Sequence, residues 1–436
     1  MKIYTIIAIF NRKVILLLFG LIVWNCKMPP LNNPSDLYSN EYGNNFMLSE
    51  LVRYWLREKV VPDGLVVAVA KSALPYESGI RIYRVDNEIG LTGEYDKDIR
   101  AATTSAFPGC QPIRISIPPY SRDIITFTGS ASDRMVTHRY EVDRSLNIIG
   151  ETHDATIIPY QTAFNYDGTV MYVTDYSNPN QVERFSRNRT TGEITSANGS
   201  GYPFGVGCAP ISIRTSNVDN LVFAATTSYL PLGIYSFKNT GIDSGFVTAG
   251  SPYDPADNPT QHNNLCVSEN DRLLYMTSGN TTMPIYGIRY DADGNMNVLP
   301  NSPFSPDTSY LAHGPTDNQS TSMTIDPNHK YLAILYSAGG SFNIRLLSID
   351  PTTGTLTPTD QKLSVGNAPK HLDWDNSGKF LYLISDTGGT TNNFQLEYFK
   401  FTNDGKLSRG INSPITIGAM SGDFTPRHLK SISRYY

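Results

Sequence analysis

Residues 368–409 read APKHLDWDNSGKFLYLISDTGGTTNNFQLEYFKFTNDGKLSR and parse into four short strands. Residues 371–374, 380–385 and 395–401 supply three, and a last one falls around 406–407. Asp375-Asn376-Ser377-Gly378, Gly388-Gly389 and Asn403-Asp404-Gly405 separate them, since Gly and Asn tolerate the tight reversals between antiparallel neighbours. Leu381, Leu383, Leu396, Tyr398 and Phe399 give the apolar and aromatic surface of strands held between packed sheets.

The unit recurs along the chain. FLYLI at 380–384 has counterparts in LVVAV at 65–69, IITFT at 124–128, VMYVT at 170–174, LVFAA at 221–225, LLYMT at 273–277 and YLAIL at 331–335. Each is followed by a third strand, such as GIRIYRVD at 79–86 or NIRLLSID at 343–350, and then by a hairpin turn. Seven copies spaced by roughly 46 to 59 residues predict an all-β chain folded as a seven-bladed β-propeller. The first copy opens at Asp63-Gly64 with no inner strand before it. TPRHLKSISRYY at 425–436 matches the inner-strand pattern, and no further strands follow it. The C-terminal strand is therefore expected to complete the N-terminal blade, closing the ring and covering two sheet edges.

Length and charge narrow the function. The repeat spans most of the 436 residues, so one large domain is expected over residues 60–436. A net charge of −5 and no Lys-rich or Arg-rich run leave no electrostatic footprint for nucleic acid or for a polybasic membrane contact. There is no Gly-rich phosphate loop, G-x-S-x-G or HExxH. Cys110 and Cys208 sit at matching positions two blades apart, beyond the roughly 7 Å limit for a bridge, and Cys266 lies too far along its strand. No disulfide, metal site or cofactor is expected, and the chain is read as a monomer. YDADGNMN at 290–297 falls where other repeats place their hairpin, so it is read as a turn and not as a calcium loop. The insertion at 305–319, with Asp307, His313 and Asp317, is read as a solvated loop.

The N-terminus speaks to location. Lys2, Arg12 and Lys13 precede an apolar run over 14–24, too short for a membrane span of about 20 residues but suited to a signal-peptide core. LIVWNC at 21–26 resembles the lipobox of bacterial lipoproteins, with Trp24 and Asn25 where small residues are usual. The resemblance implies a signal peptide over 1–25, lipidation at Cys26 and a partner in the membrane of a bacterial cell envelope, at the outer membrane or on the periplasmic face. Residues 27–45 are polar and rich in Pro and Asn, as in a tether. Leu48, Leu51, Val52 and Trp55 predict a short amphipathic helix over 46–59.

Between repeats, Gly250-Ser251-Pro252-Tyr253, Asn301-Ser302-Pro303-Phe304 and Asn412-Ser413-Pro414-Ile415 recur as a linker. With the aliphatic-Tyr-aliphatic second strand and the Asp-Gly or Thr-Gly turns, the chain resembles the seven-bladed lactonase family, which includes 6-phosphogluconolactonases and related muconate-lactonizing enzymes. That resemblance implies an inner-strand His in one blade, then Pro-Arg-His and Asn-Glu in the next. Here Tyr160, Ile211, Ser212 and Thr227 occupy the matching positions, so the ionisable groups are missing there. A similar constellation stands elsewhere. Pro369-Lys370-His371 and Pro426-Arg427-His428 begin two neighbouring inner strands, and Asp386 ends a second strand. These residues are expected to converge at one rim of the channel. His371, His428 and Asp386 are the catalytic candidates, and Lys370 and Arg427 the cations for an anionic ligand. The first expectation is a membrane-anchored module that binds a protein, glycan or small molecule. The alternative is a lactone hydrolase.

Overall fold

Second strands such as LVFAAT are buried at every position and apolar but for the closing threonine, which suits a strand covered on both faces. The computed structural model accounts for that pattern. It describes residues 60–71, 78–100, 112–128, 134–153, 159–175, 181–196, 202–203, 210–216, 218–226, 233–239, 246–253, 262–278, 284–304, 311–312, 323–338, 341–386, 394–402, 405–417 and 424–435. The expected signal peptide, Cys26, tether and helix lie outside these residues, as do Cys110, Cys208 and nearly all of the 305–319 insertion.

Seven antiparallel sheets are present among the described residues. The second blade shows the plan: Pro112–Ser116, Asp123–Thr128, Arg134–Tyr140 and Leu146–His153 pair in sequence order from the axis outward. The third to seventh blades repeat it, with inner strands Pro159–Phe164, Pro210–Ser216, His262–Ser268, Met323–Ile325 and Asn367–Trp374. The sixth departs most, since its inner strand is reduced to three residues and Leu311–Ala312 pairs elsewhere on the same second strand. In the first blade Val60–Lys71, Ser78–Asp86 and Gly90–Arg100 come from the start of the repeat region, while the inner strand is Phe424–Tyr435. It pairs with Val60–Lys71 along its length, from Val60 opposite Tyr435 to Lys71 opposite Phe424. The ring closes as the sequence predicted.

Seven apolar clusters fill the wedges between blades, one per interface. In the seventh blade Phe380, Tyr382 and Ile384 pack on Leu65, Val67 and Tyr83 of the first. Leu381 and Leu383 of the same strand point the other way, to Ala333 and Leu335 of the sixth. Each such fully buried side chain contributes roughly 2 kcal/mol of transfer free energy, so the interfaces carry the fold. Tyrosines add directed contacts across them. The Tyr398 hydroxyl donates to the Ile89 carbonyl at 3.0 Å, Tyr275 to Gly354 at 2.8 Å and Tyr290 to the Ser216 hydroxyl at 2.9 Å. Gly90 lies at φ +86°, and a Cβ there would stand 2.4 Å from the Tyr398 ring, so this approach of first and seventh blades requires glycine.

Acidic residues close the turns. Asp375 accepts from the amides of Ser377 and Phe380 at 3.1 and 2.7 Å, and Asp326 from those of Lys330 and Tyr331 at 2.7 and 2.6 Å. Complete burial nevertheless pushes the Asp375 carboxyl up to about 6. In the 290–297 stretch Gly294 donates to the Asp291 carbonyl at 3.0 Å and Asn295 to its carboxylate at 2.9 Å, which makes it the expected hairpin turn.

Deleting residues 426–436 strips the first blade of its inner strand. The truncated protein is expected to aggregate or to lose several kcal/mol, a large share of the roughly 5–15 kcal/mol typical of a domain. Size-exclusion chromatography and thermal melts check this. A monomer with unchanged melting temperature contradicts closure.

Candidate functional site

Side chains on a strand alternate between faces, so an inner strand shows every second residue to the axis. In the seventh blade His371 and Asp373 line the channel, while Leu372 joins the core against the sixth. The closing strand repeats this one blade on, with His428 and Lys430 toward the axis and Leu429 in the core. Two contacts follow. The imidazole rings of His371 and His428 lie 4.1 Å apart at 48°, and Lys430 Nζ donates to Asp373 Oδ2 at 2.9 Å.

Across the channel side chains link the second to sixth blades in turn. Ser116 and Thr162 hydroxyls meet at 2.6 Å. Arg214 Nη1 and Ser212 Oγ both donate to Gln161 Oε1, at 2.7 and 3.0 Å, and Ser212 Oγ accepts from the Leu265 amide at 3.1 Å. The buried Cys266 thiol donates to the Met323 carbonyl at 3.4 Å. Together these groups enclose a cavity of about 370 Å³. It runs from the histidine pair to the turns after the inner strands, where Pro119, Glu269 and Asn376 reach its wall.

The cavity is cationic. Arg114, Arg214 and Lys430 face it, against the carboxylates of Asp373 and Glu269. Burial is the main influence on His371 and pushes it well below the usual 6.5, and Lys430, Arg114 and Arg214 push the same way. His428 is lowered by burial and then by His371, Arg114, Lys430 and Arg214. Burial pushes the Asp373 carboxyl up, while Lys430 opposes that shift. Both imidazoles are therefore neutral at pH 7. Neither ring nitrogen of His371, nor Nδ1 of His428, has a hydrogen-bond partner among the described residues. Leaving a buried polar atom so costs about 1–3 kcal/mol, which a water or ligand in the cavity would offset. Chemically the site joins a neutral proton acceptor to positive charge that suits a developing oxyanion.

His371 and His428 thus meet as the sequence reading expected. Lys370 is partly buried and does not line the cavity. Of Arg427 and Asp386 only the backbone is described; Asp386 stands opposite Asn367. At the positions where the family carries ionisable groups, Ser212 is a buried linker between blades, Tyr160 and Ile211 are described by backbone alone, and Thr227 lies outside the described residues. Sequence reasoning missed Arg114, Arg214, Asp373 and Lys430. The period of two was the available signal, since Asp373 and Lys430 each follow a candidate His by two residues. Among the described residues no cluster of three or more His, Cys, Asp and Glu side chains is arranged to hold a metal ion.

A family model described as Lactonase, 7-bladed beta-propeller matches residues 261–412. No curated protein matches the sequence. Among solved structures, the periplasmic gluconolactonase of Pseudomonas aeruginosa superposes with a TM-score of 0.60 at 16% identity, covering 85% of this chain and 98% of that one. A protein of Bacteroides uniformis provisionally described as a 6-phosphogluconolactonase gives 0.59 at 16% identity, with 85% and 100% covered. A similarly described protein of Bacteroides fragilis gives 0.59 at 17%, with 85% and 98% covered. At such identities the likeness establishes the lactonase-like seven-bladed fold.

A buried imidazole with a depressed folded-state pKa stabilises the protein above its unfolded value of about 6.5. That contribution is lost as pH falls from 6.5 toward the folded-state value, by up to about 1.4 kcal/mol per pH unit. His428→Phe is therefore expected to flatten the loss of stability between pH 7.0 and 5.5 relative to wild type, measured by urea unfolding. Parallel slopes would show that His428 is not held neutral.

Proposed function

We propose that the chain is a lactone hydrolase acting on a small sugar-acid lactone in the central channel, with a lipid anchor at Cys26 holding it in a bacterial cell envelope. The carrying observation is the neutral, unpartnered His371 on a wall shared with Arg114, Arg214 and Lys430. In this reading a His371 ring nitrogen takes a proton from water as the water oxygen attacks the ring carbonyl carbon. Arg114 and Arg214 hold the oxyanion that forms. Collapse breaks the ring C–O bond, and the imidazolium returns its proton to the departing alkoxide. The product is a hydroxy acid. His428 packs against His371 at a tilt and keeps its ring aimed at the cavity. Lys370 and Arg427, at the start of the same two strands, attract an anionic substrate from that end.

The sequence put a binding module first and hydrolysis second. The lactonase family model and the gluconolactonase neighbour lend more support to hydrolysis. Because the matching family positions hold Tyr160, Ile211, Ser212 and Thr227, the catalytic groups proposed are this chain's own. Those replacements also favour a second reading, in which the channel holds a carboxylate ligand without turning it over.

Glucono-1,5-lactone is the probe, followed above its spontaneous opening. His371→Gln is expected to lower kcat/KM by about 10²–10⁴-fold with the fold intact. The acid limb of kcat/KM is expected below 6.5, because burial depresses His371. The Lys370→Ala/Arg427→Ala pair should raise KM for a lactone that carries an anionic group and leave KM for the neutral glucono-1,5-lactone nearly unchanged. No turnover in wild type, or full turnover in His371→Gln, removes hydrolysis. Gluconate binding that disappears in Arg214→Met would then sustain the second reading.

Anchoring is tested separately. Cys26→Ser is expected to release the protein from membranes or leave it unprocessed, read by detergent partitioning and intact mass. A mutant matching wild type in both would falsify the anchor.

A further inference from the structure

A second cationic recess lies away from the channel, between the second and third blades. The turn before Asp123–Thr128, the end of Arg134–Tyr140 and the end of Gln181–Arg187 surround about 280 Å³. Four arginines line it, Arg122, Arg139, Arg187 and Arg189, against the carboxylates of Asp123 and Glu141. Asp123 is deeply buried and is shared by two guanidiniums. Arg139 reaches its Oδ1 through Nε at 2.7 Å and its Oδ2 through Nη2 at 3.0 Å, and Arg187 Nη2 donates to the same Oδ2. Arg122 is held by Asp63 at 2.7 Å and lies over the Tyr140 ring at 4.9 Å. Even with Asp63 counted, the arginines outnumber the carboxylates, on a protein whose net charge is negative.

Two features make this more than a structural ion pair. Arg187 has a side chain only 1% exposed, yet its Nε has no hydrogen-bond partner among the described residues. Burial acts against its charge, Asp123 supports it, and Arg139 and Arg189 act with burial. Arg189 stands exposed at the mouth. Asp123 already fills the planar, two-pronged position on Arg139. Arg139 also donates to the carbonyls of Thr190 and Arg189, and Arg187 to the Gly168 carbonyl and the Ser121 hydroxyl, so Arg187 Nε and the exposed Arg189 guanidinium are left to meet an anion, and a phosphate has oxygens enough for both.

We propose that the recess formed by Arg187, Arg189 and Arg139 is a binding site for a phosphate monoester group. It rests on neither the lactonase reading nor the channel residues. The group belongs to a soluble phosphate ester or to a lipid headgroup, and the two sources separate experimentally.

The test titrates the full-length protein with inorganic phosphate by calorimetry at constant ionic strength, with chloride as control. Saturable binding is expected, weakened at least tenfold in Arg189→Glu and unchanged in the channel variant Lys430→Met. Vesicles of phosphatidylcholine with and without phosphatidic acid form the second arm. Phosphatidic-acid-dependent binding lost in Arg189→Glu assigns a lipid headgroup, and phosphate binding without vesicle binding assigns a soluble ester. No saturable binding in either arm, or equal binding by Arg189→Glu, overturns the proposal. Glucono-1,5-lactone turnover in Arg189→Glu should match wild type, which keeps this result separate from the channel's.

Discussion

A closed ring of sheets gives its inner strands an awkward position. Each pairs with the second strand of its own blade, and its other edge faces the axis without a backbone partner. The polar demand must be met by side chains reaching from blade to blade, because unsatisfied buried groups are costly. That is the role of Ser212 and Gln161, which accept from the Leu265 and Ile213 amides, and of Thr215 and Cys266, which donate to the Phe164 and Met323 carbonyls. The wedges between blades show the opposite regime, dry and filled by leucine, phenylalanine and tyrosine. The two regimes are complementary. Apolar wedges set the angle between blades, and the leftover axis is where charge can be concentrated at close range.

The fold was legible because burial on both faces erases the usual polar alternation of a strand. FLYLI and LVFAA stand out as unbroken runs for that reason, and their spacing gives the blade count. Closure was legible by subtraction, since the first copy lacked a strand and the last residues formed one. The site was only half legible. A repeated Pro-cation-His flagged His371 and His428, and the structure packs their rings together. Asp373 and Lys430 each carry a local mark, two positions after a candidate His, but their pairing joins residues 57 apart in sequence and no local pattern announces it. Arg114 and Arg214 reach the same cavity from other blades, and only the ring geometry makes them neighbours of the histidines. Local pattern reports elements well. Convergence around an axis is a property of the whole circuit.

Burial acts on the titratable groups in opposing directions. It holds His371 and His428 neutral and raises the carboxyls of Asp373 and Asp375, so acid weakens one set of contributions while easing the other. The channel is thus kept near neutrality of its bases at physiological pH without any carboxylate hydrogen-bonding to either imidazole among the described residues. The positive charge there comes from arginine and lysine side chains. The channel thus keeps its imidazoles and its fixed cations on separate side chains, each set by a different feature of the fold.

The pairing of Val60–Lys71 with Phe424–Tyr435 also has a temporal side. The closing strand is made about 350 residues after its partner, which at typical synthesis speeds is a delay of roughly 20 to 70 seconds. Throughout that interval the nascent first blade carries an open apolar edge around Leu65–Val69. Six blades can mature while the first waits for the last residues to emerge. A chain interrupted anywhere along this course therefore presents the same unsealed strand, a uniform mark of incompleteness for chaperones and proteases to read.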